Sequence, residues 1–238
     1  MKAFSKRTLA ALLAAAVAVS FTACGNSGRA GTGSDSTSAP SVSGQDTEGS
    51  ASPETPTGGN RILIAYFTAA ENSGVDAVAS ASYTTVDGQA VGRLRAVADM
   101  IQDNVGGDLF SIRTSVVYPT DGGELIDYAA REQDENARPK LTSHIENPDQ
   151  YDTIFIGYPN WWADLPMAVY SFFDEYDFSG KTIIPFNVHN GSRFSRTIQT
   201  IKELEPNATV VEDGFTVSEQ TVDGAAGDVA DWLDELGY

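Results

Sequence analysis

Short apolar segments alternate with amphipathic segments along residues 61–238, and this alternation constrains the fold more than any other feature of the chain. The apolar segments are rich in β-branched and aromatic residues, as in strands that are buried on both faces. They occupy Arg61–Phe67, Asp108–Thr114, Thr153–Tyr158, Thr182–Val188 and Ala208–Val211. Helices are predicted at Gln89–Val105, Glu124–Asn136, Pro166–Tyr176, Thr197–Leu204 and Asp223–Leu236. Strict alternation predicts an α/β protein with a doubly wound parallel sheet of five strands in the order 2-1-3-4-5 and helices on both faces.

The first 60 residues differ in composition from the rest of the chain. Residues 1–23 join a basic start to an apolar stretch too short to span a bilayer comfortably, and they predict an export signal of the lipoprotein type. Cys24 follows this segment and resembles the lipidated cysteine of bacterial lipoproteins, although an aliphatic residue is usual where Phe21 stands. Ordinary signal cleavage, which would leave a free thiol at Cys24, is the alternative.

Residues 24–60 hold mostly Gly, Ser, Thr, Pro and acidic residues, so they predict a disordered linker after the lipidated cysteine. Residues 61–238 are then one domain with a full core. This organisation predicts a protein exported and lipid-anchored through Cys24 on the outer side of the cytoplasmic membrane.

The predicted domain is strongly acidic. It holds 11 Lys and Arg against 29 Asp and Glu, and the whole chain carries a formal net charge of −18. Such a surface repels nucleic acid and favours protein partners with a basic docking face, although solubility alone would also explain the charge. Cys24 is the only cysteine, so the predicted domain has neither a disulfide nor a thiolate site.

Unusual residues follow the first, third and fourth predicted strands. These segments are residues 68–73, 159–164 and 189–194. In a 2-1-3-4-5 sheet the three strands are neighbours, so their carboxyl ends line one crevice, where ligands of open α/β sheets bind. The second segment carries Trp161 and Trp162, which are too close in sequence to enter the same core and favour a flat ligand. The alternative is that both indoles simply cap the edge of the sheet.

The chain resembles the flavodoxin family over essentially all of residues 61–238, and above all the flavodoxin-like domains of bacterial lipoproteins. Four stretches carry the resemblance: ILIAYFT, YDTIFIGYPNWWADLP, YDFSGKTIIPFNVHNGS and, less specifically, EQDENARP. The resemblance implies a flavodoxin-like fold, noncovalent FMN and electron transfer. It assigns the start of a phosphate loop to Thr68 and Ala69, and two loops beside the flavin ring to Pro159–Ala163 and His189–Phe194.

The region after the first strand departs from the family pattern. Glu71 stands where glycine is expected, and a carboxylate would repel a phosphate, so we expect Glu71 to turn away from it. About twenty residues also precede the predicted helix. We therefore predict a split phosphate loop, with Gly88, Gln89 and Ala90 at the start of that helix supplying its second half. The complete set of predicted FMN contacts is Thr68, Ala69, Gly88, Gln89, Ala90, Pro159, Asn160, Trp161, Trp162, Ala163, His189, Asn190, Gly191, Ser192 and Phe194.

These residues predict a membrane-tethered FMN protein that passes electrons to redox partners. A carrier is favoured over a substrate-specific oxidoreductase, and no catalytic residue or metal ligand is assigned; His189 is interpreted as a polar contact near the flavin. Two alternatives stay open. One is an FMN-dependent NAD(P)H or quinone reductase, and the other is a non-redox binding lipoprotein that has lost FMN.

Overall fold

The computed structural model describes residues 61–73, 83–86 and 89–238. The predictions for residues 1–60, including the lipidation of Cys24, and for Gly88 lie outside the described residues. Within these three ranges, no helix is both long and apolar enough to cross a membrane.

Eight strands and six α-helices make up the described part of the chain. The strands are β1 (Ile62–Tyr66), β2 (Tyr83–Val86), β3 (Gln89–Gly92), β4 (Asp108–Ser111), β5 (Thr153–Pro159), β6 (Thr182–His189), β7 (Thr209–Val210) and β8 (Phe215–Ser218). The helices are α1 (Ala69–Ser73), α2 (Arg93–Val105), α3 (Gly122–Asp134), α4 (Met167–Glu175), α5 (Thr197–Leu204) and α6 (Ala226–Leu236).

The main sheet is parallel, with the order β4-β1-β5-β6-β7, and β8 also pairs with β6. Counted along the main sheet, this is the predicted order 2-1-3-4-5, so the predicted fold class is confirmed. The carboxyl ends of β1, β5 and β6 therefore lie side by side, as the three unusual segments require.

The fifth strand is broken into β7 and β8, which the sequence did not predict. The break lies opposite Pro185 in the middle of β6, between the pairs Ile183↔Val210 and Phe186↔Phe215. Val211 N donates to Ile183 O, so the main-chain groups of Ile183 point towards β7. The main chain of Pro185, two residues further on, points to the same side. Because proline has no N–H, the ladder loses one hydrogen bond at this position. The irregularity that a proline causes in a sheet thus appears in the strand next to Pro185.

Successive residues of the central strands enter two separate cores, one on each face of the sheet. From β1, Leu63 and Ala65 join the core covered by α3, α4 and α5. Ile62 and Ile64 join the core covered by α2 and α6. This alternation explains why the strand segments are apolar throughout, because each face of the sheet is covered by helices.

The start of α2 differs from the prediction. Gln89–Gly92 pairs antiparallel with Tyr83–Val86 as a hairpin, and the helix begins only at Arg93. Gln89 and Ala90 are thus strand residues and do not open a helix, whereas their contact with a phosphate stays a prediction. Val91 shares the helical spacing of Leu94 and Val97, which is why the amphipathic pattern seemed to extend backwards.

Candidate functional site

A cavity of about 270 Å³ lies at the carboxyl ends of β5 and β6. Seven predicted contacts line it: Asn160, Trp161, Trp162, Ala163, His189, Asn190 and Ser192. Four lining residues were missed: Leu125, Ile126, Ala129 and Val188. The first three belong to α3, which packs beside the two loops and supplies an apolar wall.

The remaining predicted contacts lie elsewhere. Pro159 is buried at the end of β5, and Gly191 and Phe194 belong to the loop after β6 without lining the cavity. Phe194 packs against the core on the α3 side. Thr68 and Ala69 follow β1, the strand adjacent to β5, and are buried.

The two adjacent tryptophans have different environments, as their sequence spacing predicted. Trp161 packs edge-on against Phe67 and Tyr118, with ring centroids 5.5 and 5.7 Å away. Trp162 is 58% exposed, and its indole N–H donates to Ile126 O at 3.0 Å. Trp161 therefore anchors the loop in the core, while Trp162 forms a wall of the cavity that is open to solvent.

A tight turn presents these two indoles. Trp161 and Asp164 exchange both backbone hydrogen bonds, at 3.1 and 3.0 Å. Between them Trp162 and Ala163 both adopt the left-handed conformation, with φ of 51° and 63°. Two consecutive left-handed residues that are not glycine carry backbone strain, and such strain is concentrated at ligand-binding and switching segments.

Asn160 joins the loop after β5 to the loop after β6. Its Nδ2 donates to Arg193 O and, at 3.2 Å, to Ser195 Oγ. Its Oδ1 is buried and accepts no hydrogen bond from the residues that the structure describes. A buried acceptor without a donor is costly, so Asn160 Oδ1 is a natural partner for an N–H group of a ligand.

His189 is held as a neutral imidazole of defined tautomer. The N–H of Gly191 donates to His189 Nδ1 at 2.9 Å, so Nδ1 is unprotonated and the ring proton resides on Nε2. Burial, and secondarily the charge of Arg193, lowers the pKa of His189. The ring can therefore offer one N–H donor in the cavity at neutral pH.

Asp164 joins the loop after β5 to α4 and to the start of α5. Its Oδ1 accepts from Leu165 N and Thr200 Oγ1 at 2.9 and 2.8 Å. Its Oδ2 accepts from Tyr170 OH at 3.0 Å and lies 3.3 Å from Arg196 Nε. Only 15% of the Asp164 side chain is exposed, because α4 and α5 both pack around it.

A second set of polar groups lies beyond the end of β1. Thr68 is fully buried, and its Oγ1 has no hydrogen-bond partner among the described residues. Gly92 lies directly against it, as the residue before α2, and no side chain caps this helix. The first turn of α2 contains Arg93 and Arg95 and no acidic residue. A helix N-terminus, a buried hydroxyl and cationic side chains together suit an anion.

Glu71, which we expected to turn away from a phosphate, is held by neighbouring side chains of β1, β4 and α2, and the expectation stays a prediction. Its carboxylate accepts from Tyr66 OH at 3.1 Å and from Ser111 Oγ at 2.5 Å. Arg113 and Arg95 lie 3.5 and 3.9 Å from it. The charge that departs from the family pattern is thus compensated by β1, β4 and α2.

Taken as a class, a doubly wound sheet with an apolar cavity and a helix N-terminus at the carboxyl ends of its central strands is a mononucleotide-binding architecture. The flavodoxin family model matches residues 85–236, more than half of the chain. The chain belongs to the flavodoxin family.

The chain is also similar to solved structures. A protein of Bacteroides eggerthii assigned as a flavoprotein is 26% identical, with a TM-score of 0.55 over 75% of this chain and 98% of its own. A second such protein, from Bacteroides uniformis, is 25% identical, with a TM-score of 0.56 over 74% and 99%. A flavoprotein of Lactobacillus acidophilus in complex with FMN is 16% identical, with a TM-score of 0.49 over 69% and 97%. No curated protein sequence matches the chain significantly.

Proposed function

We propose that this protein binds FMN noncovalently at the carboxyl ends of β1, β5 and β6 and carries electrons between redox partners. The main observation in support is that two features lie at the same edge of the sheet. One is an apolar, aromatic cavity at the ends of β5 and β6, and the other is the N-terminus of α2, without a side-chain cap, at the end of β1. A flavin nucleotide has the matching halves, a flat ring and a phosphate. Membership of the flavodoxin family supports the same cofactor.

The cavity suits the ring half of FMN. Ile126, Trp162 and Val188 provide apolar and aromatic surface for a planar ring system. Asn160 Oδ1 would accept from a ring N–H, and His189 Nε2–H would donate to a ring carbonyl. When bound, FMN would supply the electron-accepting chemistry, and these residues would hold and orient it.

The end of β1 suits the phosphate half. Thr68 Oγ1 and the first N–H groups of α2 would donate to phosphate oxygens. Arg93, in the first turn of α2, would balance part of the charge of the dianion. This arrangement keeps the idea of a split loop and moves its second half from residues 88–90 to Gly92 and Arg93.

The first experiment is an absorbance spectrum of the purified protein after incubation with FMN and desalting. We expect a retained flavin spectrum with quenched fluorescence, and weaker retention of riboflavin, which lacks the phosphate. Complete loss of FMN from the folded protein would overturn the proposal and favour a non-redox binding protein. Rapid oxidation of NAD(P)H by the flavin-loaded protein alone would instead identify a reductase.

The same proposal includes export, a lipid anchor on Cys24 and a basic redox partner. It is supported by the signal-like residues 1–23 and by the net charge of −18. Incorporation of labelled fatty acid into the protein, and its loss in Cys24→Ala, would test the anchor. Electron transfer to a basic partner should slow as salt is added, because screening shortens the range of the attraction.

A further inference from the structure

Glu132 is a buried carboxyl group that lies between the candidate cavity and a second cavity. The residue is 6% exposed and follows Ala129 on α3 by three residues, or about 4.5 Å of helix rise. Ala129 lines the candidate cavity, whereas Glu132 lines a second cavity of about 240 Å³. The exposed residues Arg131, Glu135 and Arg138 border this second cavity, so water can reach the carboxyl group from that side.

On its other side Glu132 is coupled to the wall of the candidate cavity. The hydroxyl of Tyr118 donates to both carboxylate oxygens, at 3.5 and 3.4 Å. The Tyr118 ring packs edge-on against Trp161, which lines the cavity. Gln133, the next residue of α3, donates to Trp161 O at 2.8 Å. The rings of Tyr118 and Trp161 thus lie between Glu132 and the bound ligand that the proposed function requires.

The charged groups around Glu132 leave it without a counter-ion. Within the described part of the chain, Glu132 forms no ion pair. Arg131 lies over the ring of Tyr128, and Arg138 pairs with Asp174 at 2.5 Å. Glu135 adds a like charge. Burial, opposed by the Tyr118 hydrogen bond and reinforced by Glu135, raises the pKa of Glu132 to about 7.

We propose that Glu132 takes up a proton from solvent when electrons enter the candidate cavity. This inference rests on the proposed function, with FMN as the electron acceptor and an external reductant as the donor. Negative charge that arrives in the cavity disfavours a buried carboxylate, so Glu132 gains affinity for a proton. The proton comes from water through the second cavity and forms an O–H bond on the carboxylate. No bond to the cofactor forms or breaks in this step.

The test is the pH dependence of the midpoint potential of the FMN-loaded full chain, measured by spectroelectrochemistry between about pH 5.5 and 8.5, on either side of the Glu132 pKa. In the wild type, the plot of midpoint potential against pH should bend near neutral pH. At pH values above the bend Glu132 is ionised before reduction, so reduction takes up one proton more than it does below the bend. Glu132→Gln should lose this bend. Glu135→Gln, which removes an exposed carboxylate from the same cavity, should keep it. A bend that persists in Glu132→Gln overturns the inference.

A second variant covers the case in which Glu132→Gln does not fold. Tyr118→Phe removes the hydrogen bond that stabilises the carboxylate, so the bend should move to higher pH; an unmoved bend contradicts the inference. Without ligand, tryptophan fluorescence should titrate near neutral pH in the wild type and not in Glu132→Gln. A wild type that retains no FMN would instead overturn the proposed function itself, so the two failures are distinguishable.

Discussion

Gly92 packs against Thr68 so closely that a Cβ atom at position 92 would lie 3.0 Å from Thr68 Oγ1. This contact brings the start of α2 to the end of β1 across a sequence separation that contains the β2–β3 hairpin. The absence of a side chain at Gly92 is what lets the start of α2 lie directly against the buried hydroxyl of Thr68.

Gly92→Ala should therefore weaken FMN binding. The added methyl group crowds Thr68, and we expect a rise in Kd of about tenfold, or about 1.4 kcal/mol. Gly227→Ala is the matched control, because nothing lies within 4 Å of a Cβ at that position. Fluorescence titration with FMN and with riboflavin measures the effect. If the two ligands lose affinity equally, or Gly92→Ala binds FMN normally, the phosphate end has been placed wrongly.

Substitutions of the two tryptophans should affect different properties, with Trp161 important for stability and Trp162 for FMN binding. Trp161→Ala removes a ring from the Phe67–Tyr118 cluster and should reduce the free energy of unfolding by about 3 kcal/mol. Trp162→Ala should change stability by less than about 1 kcal/mol, since this side chain is largely exposed. Its FMN affinity should fall nonetheless. Urea unfolding and FMN titration of both variants check this, and a destabilised Trp162→Ala with normal FMN affinity would contradict it.

Asp164→Ala should be far more damaging than Asp174→Ala, although both aspartates pair with an arginine. Asp164 is 15% exposed and its loss leaves Thr200 and Tyr170 without their acceptor, so we expect about 2–4 kcal/mol of destabilisation. Asp174 is 52% exposed, and an exposed pair contributes about 0–1 kcal/mol. Equal urea midpoints for the two variants would show that Asp164 does not tie the loops.

Stability should fall as pH rises from about 4.5 to 7 through the contribution of Glu132. Its pKa is raised to about 7 in the folded protein, so the folded state holds a proton that the unfolded state has released over this interval. The contribution is lost progressively up to neutral pH and is constant above it, with a size of at most about 3 kcal/mol. Glu132→Gln should flatten this part of the pH–stability curve relative to Glu135→Gln.

His189 should titrate below its ordinary pKa and keep its proton on Nε2. Because the pKa is lowered by burial, the contribution to stability is present above about pH 6.5 and is lost as pH falls through the folded pKa. Nitrogen NMR of labelled histidine should show a non-protonated Nδ1 at pH 7, with His144 as the internal reference. A protonated Nδ1 at that pH would rule out the Gly191 hydrogen bond.

The strand order and the two loops that line the cavity were predictable from sequence because apolar strands buried on both faces leave a strong local pattern. Asn160 and His189 follow such strands directly, so their placement needed only the sheet order. Leu125 and Ala129 were missed because α3 reaches the cavity through tertiary packing, which no local pattern encodes. Their spacing of four residues was a signal of a packed helix face, although it does not say what the face meets.

The hairpin before α2 did have a signal in the sequence. Tyr83–Val86 is rich in β-branched residues and is followed by Asp87-Gly88, the residue pair most typical of a two-residue hairpin turn. The helical spacing of Val91 with Leu94 and Val97 concealed it. The burial of Glu132 has no such signal, because burial of a single carboxylate depends on its neighbours across the fold.

Asn160 and Asp164 join the loop after β5 to the loop after β6 and the start of α5. These contacts determine at which stage the two loops lose their conformational entropy. Their hydrogen bonds to Arg193, Ser195 and Thr200, and the ion pair of Asp164 with Arg196, are made within the protein. The loops after β5 and β6 are therefore ordered together during folding, before any ligand arrives. A ligand meets a preformed recess and does not have to immobilise two independent segments, so a larger share of its contact energy appears as affinity.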